Sequence, residues 1–181
     1  LAGPMYLSGL RRLLPRLRVP PMAAILDVGC GTGINLLEAA RYFAPTRLLA
    51  GIDLAPGMIE VAQAKAAAQS VPAVFTVGDA EQLPYPDGTF DLVICNSVFH
   101  WFRDRQTAMR EMARVLRPGG QVAIICAAAG AFKEWFAMMD AITALISGQT
   151  ATSTLPPFPT AQEVGTIMQT SGLLVAHLTN P

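Results

Sequence analysis

The chain has 181 residues, of which 52% are hydrophobic and 14% are charged. Thirteen basic and thirteen acidic residues cancel, which excludes a protein that binds nucleic acid through a large positive net charge. The apolar content excludes a disordered chain, and the length fits a single domain. Because the charged fraction is below the usual ~25% and the first residue is Leu rather than Met, we expect either a covered apolar surface or a trimmed piece of a longer protein.

The cysteines and the apolar runs restrict the cellular compartment in which we expect the protein. Three scattered cysteines form no CxxC pair, which predicts free thiols in a reducing cytoplasm, and we assign no metal site. The longest apolar stretch, residues 122–132, is shorter than the ~20 residues of a membrane span. The N-terminus carries no apolar signal core, so we expect no secretion signal.

Short β-branched runs alternate with patterns of helical periodicity along the chain. The predicted strands cover residues 24–28, 48–54, 74–77, 91–95, 122–126 and 173–178. Two predicted helices begin after Gly33 and at Pro56. Three more cover residues 104–117, 131–147 and 161–170. This alternation predicts an α/β fold, with a doubly wound, mostly parallel sheet and helices on both faces. In such sheets, ligands bind at the carboxyl ends of the strands.

A glycine-rich turn follows the first strand and covers residues 29–33. Its alternate glycines let the backbone turn tightly and approach a ligand, and the following helix offers free N–H groups to an anion. The dinucleotide fingerprint requires G-x-G-x-x-G, and Ile34 or Leu36 stands where its third glycine belongs. The spacing therefore disfavours a nicotinamide oxidoreductase.

Carboxylates end the next two strands. Asp53 lies 24 residues beyond Gly29, where a carboxylate can accept both hydroxyls of a ribose. A helix N-cap before Pro56 is the alternative, and we favour ribose binding. Asp79 ends the third strand, where it can accept from an adenine amino group or serve as a cap or turn residue.

Four motifs stand in order at strand ends: Ile-Leu-Asp-Val-Gly-Cys-Gly-Thr-Gly over residues 25–33, Gly-Ile-Asp over 51–53, Val-Gly-Asp-Ala over 77–80 and Arg-Val-Leu-Arg-Pro-Gly-Gly over 114–120. Together they resemble class I S-adenosylmethionine-dependent methyltransferases. The nearest group methylates small molecules and includes quinone C-methyltransferases and malonyl-carrier-protein O-methyltransferases. The resemblance covers residues 23–128 and implies a Rossmann-like sheet of order 3-2-1-4-5, then 6. It also implies methyl transfer from S-adenosylmethionine to a small-molecule acceptor by in-line displacement.

The resemblance implies which residues hold S-adenosylmethionine. Asp27 holds the amino group of the methionine moiety, and Asp53 takes the ribose diol. The glycine loop packs against the methionine moiety through Gly29, Cys30, Gly31 and Gly33. The other positions flank the adenine (Leu54, Met58), read its edge (Asp79, Ala80) or close over the methionine end (Asn96).

The chain departs from the family beyond its core. Around the core at 23–128 we expect an N-terminal arm over residues 1–22 and a lid helix, loop and last strand over 129–181. Family members add an antiparallel seventh strand, which is missing from this chain and leaves an edge beside strand five. We leave open whether residues 173–178 pair with that edge, a partner chain lends a strand, or the tail is disordered. Helix 131–147 is either part of a substrate lid or core packing.

Positioning of the acceptor is expected to carry most of the catalysis. A base is needed only where the acceptor must lose a proton, and His100, which follows strand four, is the candidate. The alternative is a structural histidine packed with Trp101. We expect His177 to be incidental.

The acceptor is bounded only in part. Asn-Ser-Val-Phe over residues 96–99 differs from the Asn-Pro-Pro-Tyr signature of enzymes that methylate planar amide or base nitrogens. A basic patch is either a solvated helix face or a contact for an acidic substrate or carrier protein; it comprises Arg11, Arg12, Arg16 and Arg18. We expect a lipophilic or carrier-bound small molecule and no nucleic acid, and we leave a homo-oligomer open. The alternative from another class is a non-catalytic domain that binds S-adenosylmethionine or a partner.

Overall fold

The computed structural model describes residues 3–127 and 158–175. The strands are β1 (Ala23–Val28), β2 (Thr46–Asp53), β3 (Val74–Val77), β4 (Phe90–Asn96) and β5 (Leu116–Ile125). The helices are α1 (Gly3–Leu13), α2 (Ile34–Tyr42), α3 (Pro56–Ala68), α4 (Arg105–Val115) and α5 (Ala161–Thr170), with short 3-10 turns at Leu14–Arg16 and Phe99–Trp101. Within the described residues, no helix combines the length and the hydropathy that crossing a bilayer requires.

The strands of the described residues form one sheet in the order β3-β2-β1-β4-β5, and every neighbouring pair is parallel. The predicted α/β fold and the order 3-2-1-4-5 are therefore confirmed. All residues of β1 and β4 are buried. Strands that are covered on both faces carry mostly apolar side chains on both. The strand order reverses at β1, and a crevice at the carboxyl ends is expected at such a point.

Helices cover both faces of the sheet, and successive residues of β1 point to opposite faces. Ile25 lies in one apolar core with Leu36 of α2. Leu26 lies in the other core with Met109 of α4 and Val164 of α5. In the described part of the chain, each face of the central strands is thus packed against its own helices.

The boundary between α4 and β5 differs from the prediction. The helix predicted over 104–117 ends at Val115, and the strand predicted over 122–126 begins at Leu116. Pairing of Leu116 with Phe90 of β4 draws the chain into the sheet before the Pro-Gly-Gly segment. A register shift then accommodates that segment, where a Cβ at Gly120 would lie 2.9 Å from the Arg117 carbonyl oxygen.

A buried carboxylate joins three parts of the chain at the amino edge of the sheet. Asp91 of β4 is 4% exposed. One of its oxygens accepts the Ala24 N–H of β1 at 2.8 Å, and the other pairs with the Arg117 guanidinium of β5 at 2.8 Å. Both oxygens are therefore satisfied, and the first residues of β1, β4 and β5 are held together.

Arg114, close to the end of α4, ties down the segment between β3 and β4. Its guanidinium donates to the carboxylates of Glu111 and Asp87 at 2.7 Å and to the carbonyl oxygens of Leu83 and Tyr85 at 3.0 and 2.8 Å. The hydrogen bonds to Glu111 and then Asp87 raise the pKa of Arg114. The fixed fork of five N–H donors suits this crowded position.

The C-terminal elements follow the prediction only in part. α5 has the predicted bounds, and Thr160 and Glu163 form a capping box at its start. The strand predicted over 173–178 is not formed by its described residues, 173–175. The Leu173 N–H instead donates to the Met168 carbonyl oxygen at 3.0 Å, which closes the end of α5. Residues 176–181 and the predicted lid helix 131–147 lie outside the described residues.

Candidate functional site

A cavity of about 280 Å³ lies at the carboxyl edge of the sheet. Its walls come from the ends of β1 and β2 and from the segments that follow β3 and β4. The lining residues are Gly29, Ile52, Asp53, Leu54, Gly78, Asp79, Ala80, Glu81, Val98, Trp101, Phe102 and Arg103. Residues from the ends of β1, β2 and β3 therefore share one concave space with the segment that follows β4.

Gly29 forms the floor of this cavity at the end of β1. Its φ is +68°, and a Cβ at this position would lie 2.5 Å from the methyl carbons of Val98. Both facts require glycine, because any side chain would be strained and would collide with the segment after β4. The Gly29 N–H donates to the Ile52 carbonyl oxygen at 2.8 Å, which ties the turn to β2.

Asp53 ends β2, and its carboxylate braces the glycine loop. One oxygen accepts the Gly31 N–H at 2.8 Å, and the other accepts the Ala55 N–H at 3.0 Å. The N-cap of α3 is Ala55, so Asp53 does not fill the helix-cap alternative. Because each carboxylate oxygen offers two acceptor sites, Asp53 is oriented by the backbone and retains capacity for hydroxyl groups in the cavity.

Asp79 follows β3, the neighbour of β2 in the sheet, and also lines the cavity. One of its oxygens accepts the Glu81 N–H at 2.9 Å, as the turn-residue alternative predicts. Its other oxygen lies 3.8 Å from the Arg103 guanidinium. Ala80, beside it, is buried. Asp79 therefore holds the turn and also lines the cavity, so its turn role is compatible with binding a ligand.

Asp27 lies one residue before the end of β1, at the carboxyl edge, and is fully buried. Neither carboxylate oxygen has a hydrogen-bond partner within the described part of the chain. Burial raises the pKa of Asp27 to about 8. A buried acid of this kind gains a large stabilisation from a nearby cation.

A chain of amide groups fixes the end of β4. The buried Asn96 donates from Nδ2 to the Asn35 Oδ1 of α2 at 2.9 Å, and its Oδ1 accepts the Ser97 hydroxyl at 3.0 Å. Ser97 has a φ of +62°, which is strained for a residue with a side chain. This sharp turn carries Val98 over Gly29.

His100 lies in the short turn after β4 and is 6% exposed. Its ring centroid is 4.9 Å from Trp101 and 4.8 Å from Phe158. Nδ1 has no hydrogen-bond partner among the described residues. Burial and then the charge of Arg105 lower the pKa of His100, which favours the neutral form of the imidazole. The ring does not line the cavity, whereas Trp101 does.

The predicted cofactor residues divide into two groups. Gly29, Asp53, Leu54, Asp79 and Ala80 line the cavity. The remaining predicted positions lie outside its lining: Asp27, Cys30, Gly31, Gly33, Met58 and Asn96.

Cys30 is buried, and burial raises the pKa of its thiol, which makes it an inert packing residue. Met58 of α3 is 46% exposed, close in sequence to the 67% exposed Leu54. Sequence reasoning missed several lining residues. Val98, Phe102 and Arg103 belong to the segment after β4, whose path depends on the strained turn, and Glu81 follows the Asp79 turn. Their position after strand ends was the only available signal.

A family model for the methyltransferase domain matches residues 26–124 of this chain. The match covers more than half of the chain, and the chain belongs to the methyltransferase-domain family. The matched span begins in β1 and ends in β5, so it contains the cavity and its carboxylates.

Named relatives are similar over larger or smaller parts of the chain. The demethylmenaquinone methyltransferase of Deinococcus radiodurans is 35% identical over 161 residues, covering 82% of this chain and 66% of that protein. The malonyl-[acyl-carrier protein] O-methyltransferase of Serratia marcescens is 36% identical over 114 residues, covering 63% and 42%. The solved structure of YcgJ from Bacillus subtilis superimposes with a TM-score of 0.70 at 25% identity, covering 91% of this chain and 67% of that one.

The family match and these relatives confirm the predicted resemblance to S-adenosylmethionine-dependent methyltransferases of small molecules. The chain spans 66% and 42% of the length of the two curated relatives. The remaining parts of those two proteins are not matched by this chain.

Proposed function

We propose that this chain transfers a methyl group from S-adenosylmethionine to a small-molecule acceptor. The observation that carries the proposal is that Gly29, Asp53 and Asp79, from three different strand ends, line one cavity. A glycine turn beside two carboxylates from the next two strand ends suits a ligand that carries a ribose at one point and a purine amino group at another.

The described residues fit this cofactor. Asp53 would accept the ribose hydroxyls, and Asp79 with Ala80 would read the adenine edge. Leu54 is an exposed apolar side chain on the cavity wall and would flank the base. The unpartnered, buried carboxylate of Asp27 would take the positive amino group of the methionine moiety, directly or through water.

When bound, S-adenosylmethionine supplies a methyl group that its sulfonium already activates for transfer. The protein residues therefore mainly have to bind and orient. The Asn35–Asn96 hydrogen bond holds the end of β4, and Val98 seals the glycine floor. Alignment of two reactants in this way can contribute about 7–11 kcal/mol to lowering a barrier.

His100 remains our candidate base for acceptors that must lose a proton. Its lowered pKa supports this role, as does the lack of a hydrogen-bond partner for Nδ1 among the described residues. Its contacts with Trp101 and Phe158 support the packing alternative. The pH profile of turnover for His100→Gln, compared with wild type, separates them. A base predicts loss of the lower-pH limb of kcat, whereas packing predicts a uniform change at every pH.

The acceptor is proposed as a lipophilic or carrier-bound small molecule. The apolar wall of Val98, Trp101 and Phe102 supports it, as do the printed names of the Deinococcus and Serratia relatives. We place the protein in the cytoplasm because its three cysteines are free.

Calorimetric titration tests the proposal. We expect S-adenosylhomocysteine to bind and NAD not to bind, because the glycine spacing and the cavity suit a single nucleoside. Turnover of S-adenosylmethionine with a panel of quinols, phenols and carrier-bound acids then separates an enzyme from a binding domain. Binding of NAD with no binding of S-adenosylhomocysteine would refute the proposal.

A further inference from the structure

The segments after β3 and β4 meet over the mouth of the cavity. In the sheet, β3 and β4 are separated by β2 and β1, so their ends lie roughly 14 Å apart at the usual strand spacing. Asp79 and Glu81 come from one side, and Arg103 and Asp104 come from the other. Any contact between these residues must therefore span the open ends of β1 and β2.

Three contacts between described residues span this gap, and they differ in strength. The Asp104 N–H donates to Glu81 Oε1 at 3.0 Å, which is a hydrogen bond. The Arg103 guanidinium lies 3.7 Å from the other Glu81 oxygen and 3.8 Å from Asp79, which is beyond hydrogen-bond range. Asp79, Glu81 and Arg103 all line the cavity.

The Arg103 side chain is 84% exposed, and exposed ion pairs of this kind are weak. The backbone link between Asp104 and Glu81 does not depend on it. Arg103 can therefore leave the carboxylates and return without disturbing the loop that carries it, while the two acidic groups keep its guanidinium above the mouth.

We propose that Arg103 is an additional cofactor-binding residue that closes the adenine end of the cavity by stacking its guanidinium on the purine. The inference rests on the proposed function, since it requires a nucleoside in the cavity. A planar, weakly hydrated guanidinium packs well on a flat aromatic ring. Asp79 and Glu81 contribute by drawing Arg103 across, and the residue acts mainly on how long the cofactor stays bound.

Stopped-flow displacement of S-adenosylhomocysteine from the full chain measures this effect. For Arg103→Ala we expect Kd to rise about two- to fivefold, the size of an exposed cation–ring contact, mainly through faster dissociation. Arg103→Lys should lie in between, because it keeps the charge and loses the flat surface. Arg110→Ala is the matched control: Arg110 is exposed on α4, lies outside the cavity lining, and should leave both rates unchanged.

A second variant tests the carboxylate side. Glu81→Gln keeps an oxygen that can accept the Asp104 N–H and removes the charge that attracts Arg103. We expect a smaller rise in Kd, and a double variant with Arg103→Ala that is no worse than Arg103→Ala alone, because the two residues act on one contact. Melting temperatures of all variants should match the wild type.

The outcomes distinguish this inference from the proposed function. If wild type binds S-adenosylhomocysteine and Arg103→Ala binds equally well, the stacking role is wrong. Tighter binding by Arg103→Ala also refutes it, since Arg103 would then be competing with the adenine amino group for Asp79. If wild type itself does not bind, the proposed function fails before the role of Arg103 is tested.

Discussion

Two buried aspartates on neighbouring strands mark the two edges of the sheet and differ in every contact. Asp91 of β4, at the amino edge, has both oxygens satisfied, by the Ala24 N–H and by Arg117. Asp27 of β1, at the carboxyl edge, is equally buried, and neither oxygen has a partner among the described residues. At the amino edge the buried carboxylate is therefore satisfied by the protein, whereas at the carboxyl edge the described residues leave the carboxylate of Asp27 available to a ligand.

The largest effect on stability is expected at the amino edge. Asp91→Asn removes the charge that Arg117 and the Ala24 N–H share, and we expect a loss of about 2–3 kcal/mol in the free energy of unfolding. Urea denaturation measures it. The affinity for S-adenosylhomocysteine should stay unchanged, and a loss of affinity in folded protein would show that the two edges are coupled.

At the carboxyl edge, the largest effect is expected on binding. Asp53→Ala removes a charged acceptor for the ribose hydroxyls, so we expect S-adenosylhomocysteine to bind about 2 kcal/mol more weakly, measured by calorimetry. Glu60→Ala is the control, because Glu60 is an exposed carboxylate of α3 outside the cavity lining. Equal affinities for the two variants would show that the ribose lies elsewhere.

In the ligand-free protein, Asp27→Asn should raise the free energy of unfolding, whereas Asp91→Asn lowers it. The pKa of Asp27 is raised from an ordinary 3.8 to about 8, so between these pH values the folded chain holds a proton that the unfolded chain releases. Stability therefore falls as pH rises from 4 to 8.

The Asn variant lacks that dependence, so we expect it to be more stable than wild type near pH 8, by an amount that grows as the pH rises from 4 to 8. The difference from wild type should vanish near pH 4. Urea denaturation across this pH range measures the difference in stability. A difference that does not change with pH would contradict the raised pKa of Asp27.

The smallest effect is expected away from both edges, at the start of α5. Thr160→Ala removes the hydroxyl that accepts the Glu163 N–H, and a lost N-cap costs about 1 kcal/mol. Thr166→Ala, on the exposed surface of the same helix, should cost less than 0.5 kcal/mol, the usual limit for such sites. Cofactor affinity should not change in either variant, and equal melting temperatures for the two would contradict the capping role.

Local patterns were sufficient to predict the five strands of the sheet, because each motif follows a buried strand, whereas the strand order was implied by the family resemblance. The bounds of α5 were also predictable, since Thr160 and Gly172 are local signals at its two ends. The α4–β5 boundary was not, because it depends on pairing of Leu116 with Phe90, 26 residues earlier in the chain. A distant strand overrides the local Pro-Gly-Gly signal there.

The candidate site was predictable where residues act through their place in a motif, as Asp53 and Asp79 do. Arg103 and Glu81 were not, because they meet across strands that are not neighbours in the sheet. The lack of a hydrogen-bond partner for Asp27 among the described residues was also not predictable from the sequence, since it depends on which polar groups the fold brings near.

The direct junction between α4 and β5 gives the cavity mouth a rigid support. At one end, α4 passes into β5 without an intervening residue, and Arg114 and Arg117 clamp that end to its surroundings. At the other end, Asp104 caps the helix through Thr107 and donates its N–H to Glu81. Since 11 helical residues span roughly 16 Å, α4 works as a strut that connects the α4–β5 junction to the mouth of the cavity.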